Sequence, residues 1–178
     1  MAAENGHLAM LKWARDEGFP WDVRTCSAAA RNGHNAILQW ARENECPWDH
    51  LTCHALASNG NLTMLQWARE KGCYMDGNDF IGAAANGHLA VLQWARENGY
   101  PWGKNMGVMA ARNGHLEILQ WLTSEGCPWD KRDGLNAASS HGQSAIHSWI
   151  LRKHGTSAIY GRNWNWQMND ENSELLSE

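Results

Sequence analysis

Residues 29–43 read Ala-Ala-Arg-Asn-Gly-His-Asn-Ala-Ile-Leu-Gln-Trp-Ala-Arg-Glu, and this stretch returns, with changes, along most of the chain. Its clearest marker is Trp40. This residue belongs to a first series of Trp residues, spaced by 27 residues and at the last step by 28: Trp13, Trp40, Trp67, Trp94, Trp121 and Trp149. A Gly stands seven residues before each member. A second series keeps the same period, with Met in one phase: Trp21, Trp48, Met75, Trp102 and Trp129. This spacing identifies the chain as an array of repeats.

Each unit is predicted to contain two helices. After the Gly, apolar residues fall at positions +4, +5, +7 and +8, which cover an arc of about 160° on a helix. Before the Gly lies a segment of small residues such as 27–30, which Asn-Gly ends because Gly accepts left-handed backbone. In the connection that follows the long helix, Pro prevents its continuation and Asp is suited to cap the next short helix.

The segments 29–34 and 110–119 resemble the ankyrin repeat, in which Ala-Ala-x-x-Gly-His likewise precedes a Leu/Val-rich helix that ends in Gly. The usual ankyrin unit has about 33 residues, whereas the present unit has 27, and Pro-Trp-Asp replaces the projecting β-hairpin. The pattern looks like the short, Trp-rich variety of large DNA viruses and microbial eukaryotes. The resemblance implies an all-α fold, an ankyrin-like solenoid of stacked helix–turn–helix repeats with shortened hairpin connections.

The array is expected to cover residues 1–155, as about six units of which the first and last are incomplete. Residues 156–178 are expected to form a C-terminal cap or loose tail, because they are rich in Asn, Ser and acids. Trp164 and Trp166 in this tail either fold back over the last helix or form a short docking element. The first unit has only the end of a short helix, so the chain is either a trimmed cap or a fragment of a longer array.

Composition excludes several classes of protein. The net charge of -4 argues against a nucleic-acid-binding surface, and no apolar run approaches the roughly 18 residues that a membrane helix needs. The first residues lack the regions of a secretory signal. Five Cys is an odd number, which favours a reducing, intracellular compartment, nuclear or cytoplasmic, over a disulfide framework. We expect a monomer.

The cysteines are predicted to be apolar core residues, without metal or disulfide. Their phases in the repeat are filled by Phe19 and Tyr100, or by Phe80, in other units. A zinc or disulfide site remains the alternative, and it would use Cys46, His50, Cys53 and His54. Equivalent residues of stacked units should lie about 8–10 Å apart, which is beyond the reach of a disulfide.

Three further repeat positions are predicted to have structural roles. The first-series Trp residues should fill the interior between units. The His residues that follow the Gly should hydrogen bond to exposed backbone and join neighbouring units. The Arg residues at +9, which are Arg15, Arg42, Arg69 and Arg96, are each followed by an acid and should form a solvated face with weak ion pairs.

The sequence contains no phosphate-binding loop, nucleophile elbow or zinc-protease motif, so we expect no enzyme, no catalytic residue and no cofactor. The ankyrin resemblance implies a non-catalytic scaffold that binds a partner protein through the concave face formed by the short helices and connections. A spacer or adaptor segment of a larger protein is the alternative. The residues that vary most between units in this region are the predicted partner-binding positions: Arg24, Ser27, His50, Leu51, His54, Asn78, Ile81, Lys104, Asn105, Lys131 and Arg132.

Overall fold

The computed structural model describes residues 2–156 and residue 159, and within these ranges the chain is helical and has no strand. The prediction of an all-α chain is confirmed. The predicted tail, with Trp164 and Trp166, lies almost entirely outside the described residues. The helices are α1 (Leu8–Asp16), α2 (Val23–Arg31), α3 (Asn35–Glu43), α4 (His50–Ser58), α5 (Leu62–Glu70), α6 (Ile81–Ala85), α7 (Leu89–Glu97), α8 (Met106–Arg112), α9 (Leu116–Ser124), α10 (Lys131–Ser140) and α11 (Ser144–His154).

The odd-numbered helices are the long helices of the repeat. Each begins two residues after the Gly that precedes the first-series Trp by seven positions. The even-numbered helices are the small-residue segments. In the third complete unit the short helix is divided, because a 3-10 turn over Gly77–Phe80 precedes α6. Gly and Asn are poor helix formers, and Gly77 and Asn78 occupy this first turn. Asp76 and Asp79 stabilise it through a capping box.

Asp residues cap the short helices, as predicted. The carboxylate of Asp22 accepts a hydrogen bond from the backbone N–H of Arg24 at 2.9 Å, and that of Asp49 accepts one from Leu51 at 3.1 Å. These bonds satisfy N–H groups that have no partner within the helix. Because the cap recurs in most units, the first turn of each short helix begins at a defined place.

Neighbouring units pack mainly through their short helices. Helix α2 contacts α4, α4 contacts the 3-10 turn and α6, α6 contacts α8, and α8 contacts α10. Each short helix also contacts the long helix that follows it. The core between them consists of Ala from the short helices and large aliphatic residues from the long ones, such as Leu38, Leu65 and Leu119, each with no exposed surface. Ala permits close approach of the helix axes.

The Asn-Gly-His corners form a second set of contacts between units. The Nε2 atoms of His34 and His115 lie 2.9 Å from the carbonyl oxygens of Glu4 and Ala85, thirty residues earlier. A carbonyl accepts, so each ring donates from Nε2. Asn61, which replaces His in its unit, donates instead to the side chain of Asn35 at 2.8 Å. The predicted role of these residues in joining units is confirmed at His34 and His115.

The first-series Trp residues lie at the margin of the core, which corrects the prediction that they fill the interior. Trp13 is 58% exposed, and the later members are half-buried. Three of them pack edge-on against the second-series Trp of the preceding connection, as in the pairs Trp21–Trp40, Trp48–Trp67 and Trp102–Trp121. A large indole is covered on the side that faces this neighbour, while aliphatic residues occupy the centre.

The Arg residues at +9 lie over aromatic rings, and this corrects the prediction of ion pairs with the following acids. The guanidinium carbons of Arg15, Arg42 and Arg96 lie 4.6, 4.8 and 4.7 Å from the ring centres of Trp21, Trp48 and Trp102. Arg69 contacts the rings of Trp94 and Tyr100. A cation over an aromatic face is attracted by the ring quadrupole, and the Arg stem covers the indole.

Cys53 and Cys73 form a disulfide, with 6.8 Å between their Cα atoms, which corrects the prediction that the cysteines only fill apolar space. The distance argument above concerned equivalent positions in different units. Cys53 lies in α4 and Cys73 lies in the connection after α5, twenty residues later, so the two are not equivalent. Cys26, Cys46 and Cys127 are free and buried, in agreement with the core assignment.

Candidate partner-binding surface

The predicted partner-binding residues lie at the starts of successive short helices and in the turns that precede them. Eight of the eleven have exposed side chains, and two are half-buried. The exposed residues are Arg24, His50, Leu51, His54, Asn78, Lys104, Asn105 and Arg132. Contacts between the short helices, and Asp caps in every complete unit except that of α8, hold these side chains in defined positions relative to one another.

Ser27 is the exception, since it is 5% exposed. Its hydroxyl donates to the carbonyl oxygen of Arg24 at 3.3 Å within the same helix. The position varies between units, but its side chain is buried and offers little surface to a partner. We therefore leave Ser27 out of the surface.

The two half-buried members are held by the fold. Ile81 packs against the core at the start of α6. The Nζ atom of Lys131 donates to the carbonyl oxygen of Trp129 at 2.9 Å and lies 5.1 Å from the centre of that ring. Lys131 is therefore part of the covering of Trp129, whereas the side chain of the next residue, Arg132, is exposed.

Arg24 is paired with the cap of its own helix. The guanidinium lies 2.7 Å from the Asp22 carboxylate, and its Nε donates to Oδ2 at 2.9 Å. The hydrogen bond from Arg24 lowers the pKa of Asp22, and the same bond raises the pKa of Arg24. This pair is open to solvent, so it leaves little net charge at this end of the surface.

Asp79 is the residue of this region that the sequence analysis missed. It is 4% exposed, and its Oδ2 accepts a hydrogen bond of 2.7 Å from the backbone N–H of Asp76. Burial raises the pKa of Asp79, while His54 and His50 act in the opposite direction. A buried carboxylate thus lies below two exposed imidazoles. The repeat gave a signal for it, since Asp79 occupies the phase of Thr25 and Thr52.

The connections of the third and fourth complete units are joined directly. The side-chain oxygen of Asn78 accepts a hydrogen bond from the backbone N–H of Lys104 at 3.3 Å. Next to this bond, a Cβ added to Gly77 would collide with the carbonyl oxygen of Pro101, and one added to Gly103 would collide with that of Gly77. The absence of side chains at these two glycines lets the two backbones touch. Asn78 therefore contributes to the fold as well as to the surface.

Trp129 lies in the connection before α10, at the end of the surface that includes Arg132. Unlike the other Trp residues of its series it is buried, at 7% exposed. Its ring lies beside Gly107 and Gly134, where an added Cβ on either glycine would overlap it. Gly107 occupies the phase of Cys26, Cys53 and Phe80, so the indole fills space that a side chain takes in the earlier units.

Metal-ligating clusters, membrane-spanning helices and grooves are further features that could point to a function. Within residues 2–156, no three His, Cys, Asp or Glu side chains are grouped so that they could hold a metal ion. No helix of the described chain has the length and apolar character needed to cross a membrane. An open groove of about 510 Å³ lies on the long-helix side, between α5 and α7, and none of the predicted partner-binding residues lines it.

A scan against models of protein families finds none that matches this chain, and a search of curated proteins finds no significant match.

Proposed function

We propose that the chain is an ankyrin-type solenoid and acts as a non-catalytic scaffold that binds a partner protein through its concave face. Two features support the solenoid. The units repeat every 27 residues, and neighbouring short helices pack on one another while long helices contact mainly their own short helices. An array packed most closely on one side curves toward that side, which places the short helices on the concave face.

The observation that carries the proposal is the placement of the varied residues. Positions that differ between units bear exposed side chains of different chemistry, such as His50, Leu51 and Lys104, at the starts of short helices or in the turns that precede them. A fixed frame with a varied outer row is the arrangement of a repeat protein whose contact surface is tailored to a partner. Exposed residues on rigid elements also lose little conformational entropy on binding.

The test compares two charge-matched variants in affinity capture from the native cell, followed by mass spectrometry. The surface variant carries His50→Glu, Lys104→Gln and Arg132→Gln. The control carries Gln66→Glu, Gln93→Glu and Gln120→Glu, which are exposed positions on the long helices. Each set comprises three changes of one charge unit, so both variants take the net charge from -4 to -7 with His neutral.

We expect the control to retain the proteins captured by the unchanged chain and the surface variant to lose at least one of them. Direct binding of that protein, measured by titration calorimetry with purified components, should be weakened by the surface variant alone. If the two variants capture the same set, the surface assignment is wrong. If only the control loses partners, binding takes place on the long-helix side.

A further inference from the structure

Two pairs of cysteines occupy equivalent positions in neighbouring units. Cys26 and Cys46 stand 27 residues before Cys53 and Cys73, and the separation within each pair is twenty residues. The first cysteine of each pair lies in a short helix, α2 or α4, and the second lies in the connection after the next long helix. The chain therefore places the same pair of side chains together twice.

The surroundings of the two pairs agree closely. The Sγ atom of Cys46 lies 3.6 Å from the carbonyl oxygen of Asp22, and that of Cys73 lies 3.7 Å from the carbonyl oxygen of Asp49. Both oxygens belong to the cap residue of the short helix that carries the partner cysteine. Cys26, Cys46 and Cys53 have no exposed surface, and Cys73 has 6%. The two sulfur sites differ in bonding and hardly at all in environment.

The two positions held by the cysteine pairs are occupied by other residues in the third and fourth complete units. Phe80 and Tyr100 occupy them in the third complete unit, with ring centres 5.1 Å apart. In the fourth, Gly107 occupies the phase of Cys26 and Cys53, so Cys127 has no equivalent partner thiol. Contact across the site is thus a property of the repeat, and Cys127 is a natural control that lacks a partner.

The neighbouring threonines differ in a way that matches the state of each pair. Thr25 acts to lower the pKa of the Cys46 thiol, whereas the hydroxyl of the equivalent Thr52 is buried and has no hydrogen-bond partner. A disulfide sulfur is a weaker acceptor than a thiolate and has no proton to donate. The hydrogen bond from Cys26, followed by that from Thr25, lowers the pKa of Cys46. Its partner Cys26 has a raised pKa, because it hydrogen bonds to Cys46 and is buried.

Access to Cys46 is favoured by the residue that precedes it. Glu45 has a φ of 65°, in the left-handed region, where the equivalent residues of other units are the glycines 18, 72, 99 and 126. A side chain in this region is disfavoured. The strain at Glu45 lowers the cost of opening this turn, which Arg42 also holds by donating from Nη1 to the carbonyl oxygen of Cys46 at 3.3 Å. Opening of the turn exposes a buried thiol to a small reagent.

We propose that Cys26 and Cys46 form a second disulfide site, equivalent to Cys53–Cys73, which closes by exchange with a low-molecular-weight disulfide such as oxidised glutathione. The Cys46 thiolate attacks one sulfur of the reagent, which breaks its S–S bond and releases one glutathione thiolate. The sulfur of Cys26 then attacks Sγ of Cys46, loses its proton to solvent and releases the second glutathione thiolate. Two protein thiols are oxidised, and one small disulfide is reduced to two thiols.

The test uses the purified full chain, equilibrated in glutathione buffers of increasing oxidised fraction, then alkylated and mapped by peptide mass spectrometry. Alkylation of both Cys26 and Cys46 should fall from complete to near zero, and a peptide pair joined through these residues should appear. Cys127 should remain alkylated throughout. The proposal is overturned if Cys26 and Cys46 stay alkylated where Cys53–Cys73 is closed, or if either pairs with another cysteine.

Two single variants test the order of the steps, with circular dichroism to check that each retains its helices. In Cys26→Ser the second step is blocked, so glutathione should accumulate on Cys46. In Cys46→Ser the attacking thiol is absent, so Cys26 should remain free. The reverse distribution, or no adduct on Cys46 in Cys26→Ser, contradicts the assignment of Cys46 as the attacking residue. The mapping of the unchanged chain does not depend on either variant.

Discussion

The indole of Trp48 packs edge-on against that of Trp67, with 5.7 Å between ring centres and the planes 79° apart. Trp48 lies in the connection before α4, and Trp67 lies in α5 of the same unit. On its other side Trp48 is covered by the guanidinium of Arg42. One Arg and two Trp residues thus join the end of one unit to the long helix of the next, and the arrangement recurs with Arg15, Trp21 and Trp40.

Replacement of Trp67 by Ala should reduce stability strongly. The change removes the edge-on contact and leaves a cavity beside the core, so we expect a loss near the lower end of the 3–5 kcal/mol typical of Trp→Ala, about 3 kcal/mol. Trp13→Ala is the matched control, because Trp13 has the same phase but is 58% exposed. It should cost less than about 1 kcal/mol. Urea denaturation followed by circular dichroism measures both, and equal losses would contradict the packing described.

Glu45→Gly should stabilise the protein. Glu45 adopts a left-handed conformation with a φ of 65°, which costs a residue with a side chain about 1 kcal/mol or more and costs Gly little. We expect a gain of about 1 kcal/mol in the free energy of unfolding. Glu45→Ala removes the same carboxylate and retains Cβ, so it should give almost no gain. A gain of similar size in both variants would show that charge, and not backbone conformation, is responsible.

Gly60→Ala and Gly72→Ala compare two reasons why a position requires glycine, which are left-handed backbone and lack of space for a Cβ atom. Both have positive φ, but a Cβ on Gly60 would lie 2.5 Å from Nδ1 of His88, whereas one on Gly72 would meet nothing within 4 Å. Gly72→Ala should cost about 1–2 kcal/mol through backbone conformation alone. Gly60→Ala should cost at least about 1 kcal/mol more, because the ring must move. Thermal denaturation measures the loss of stability in each variant. Equal losses would show that the contact with His88 has no effect.

Asp79→Asn should change the pH dependence of stability. Burial raises the pKa of Asp79 above that of an ordinary Asp, about 3.9. Its contribution to stability is therefore present below the ordinary pKa and is lost as the pH rises through the pKa of the folded state. Asn keeps an oxygen that accepts from the backbone of Asp76 and carries no charge. The variant should therefore gain stability relative to the unchanged chain as the pH rises above about 4, where the carboxyl group of the unfolded chain ionises. A difference that is constant with pH, in parallel urea titrations, would contradict the cost of burying this carboxylate.

The period of the Trp residues predicted the helices well, because the constraint is local. A helix such as α3 needs only its own apolar positions, the left-handed Gly33 before it and the turn after it, and all three are visible in the sequence. The caps at Asp22 and Asp49 follow for the same reason.

Contacts between units were harder to predict, because they depend on distances that a repeat pattern does not contain. Comparison of equivalent residues concealed the pairing of Cys53 with Cys73, which lie at different positions of the unit. The acids that follow the Arg series suggested a solvated face with weak ion pairs, yet the side chain of Arg42 reaches Trp48. Ser27 varies in the way a surface residue does, although it is buried in the folded chain.

The bond between Cys53 and Cys73 encloses the remainder of α4, all of α5 and the turn between them. If the two ends of the chain were pulled apart, force would pass through the sulfur atoms, and the nineteen enclosed residues would carry no tension. About 65 Å of contour length would stay hidden until a reductant released it. The segment enclosed by the disulfide would thus resist extension under a force that unfolds the helices outside it.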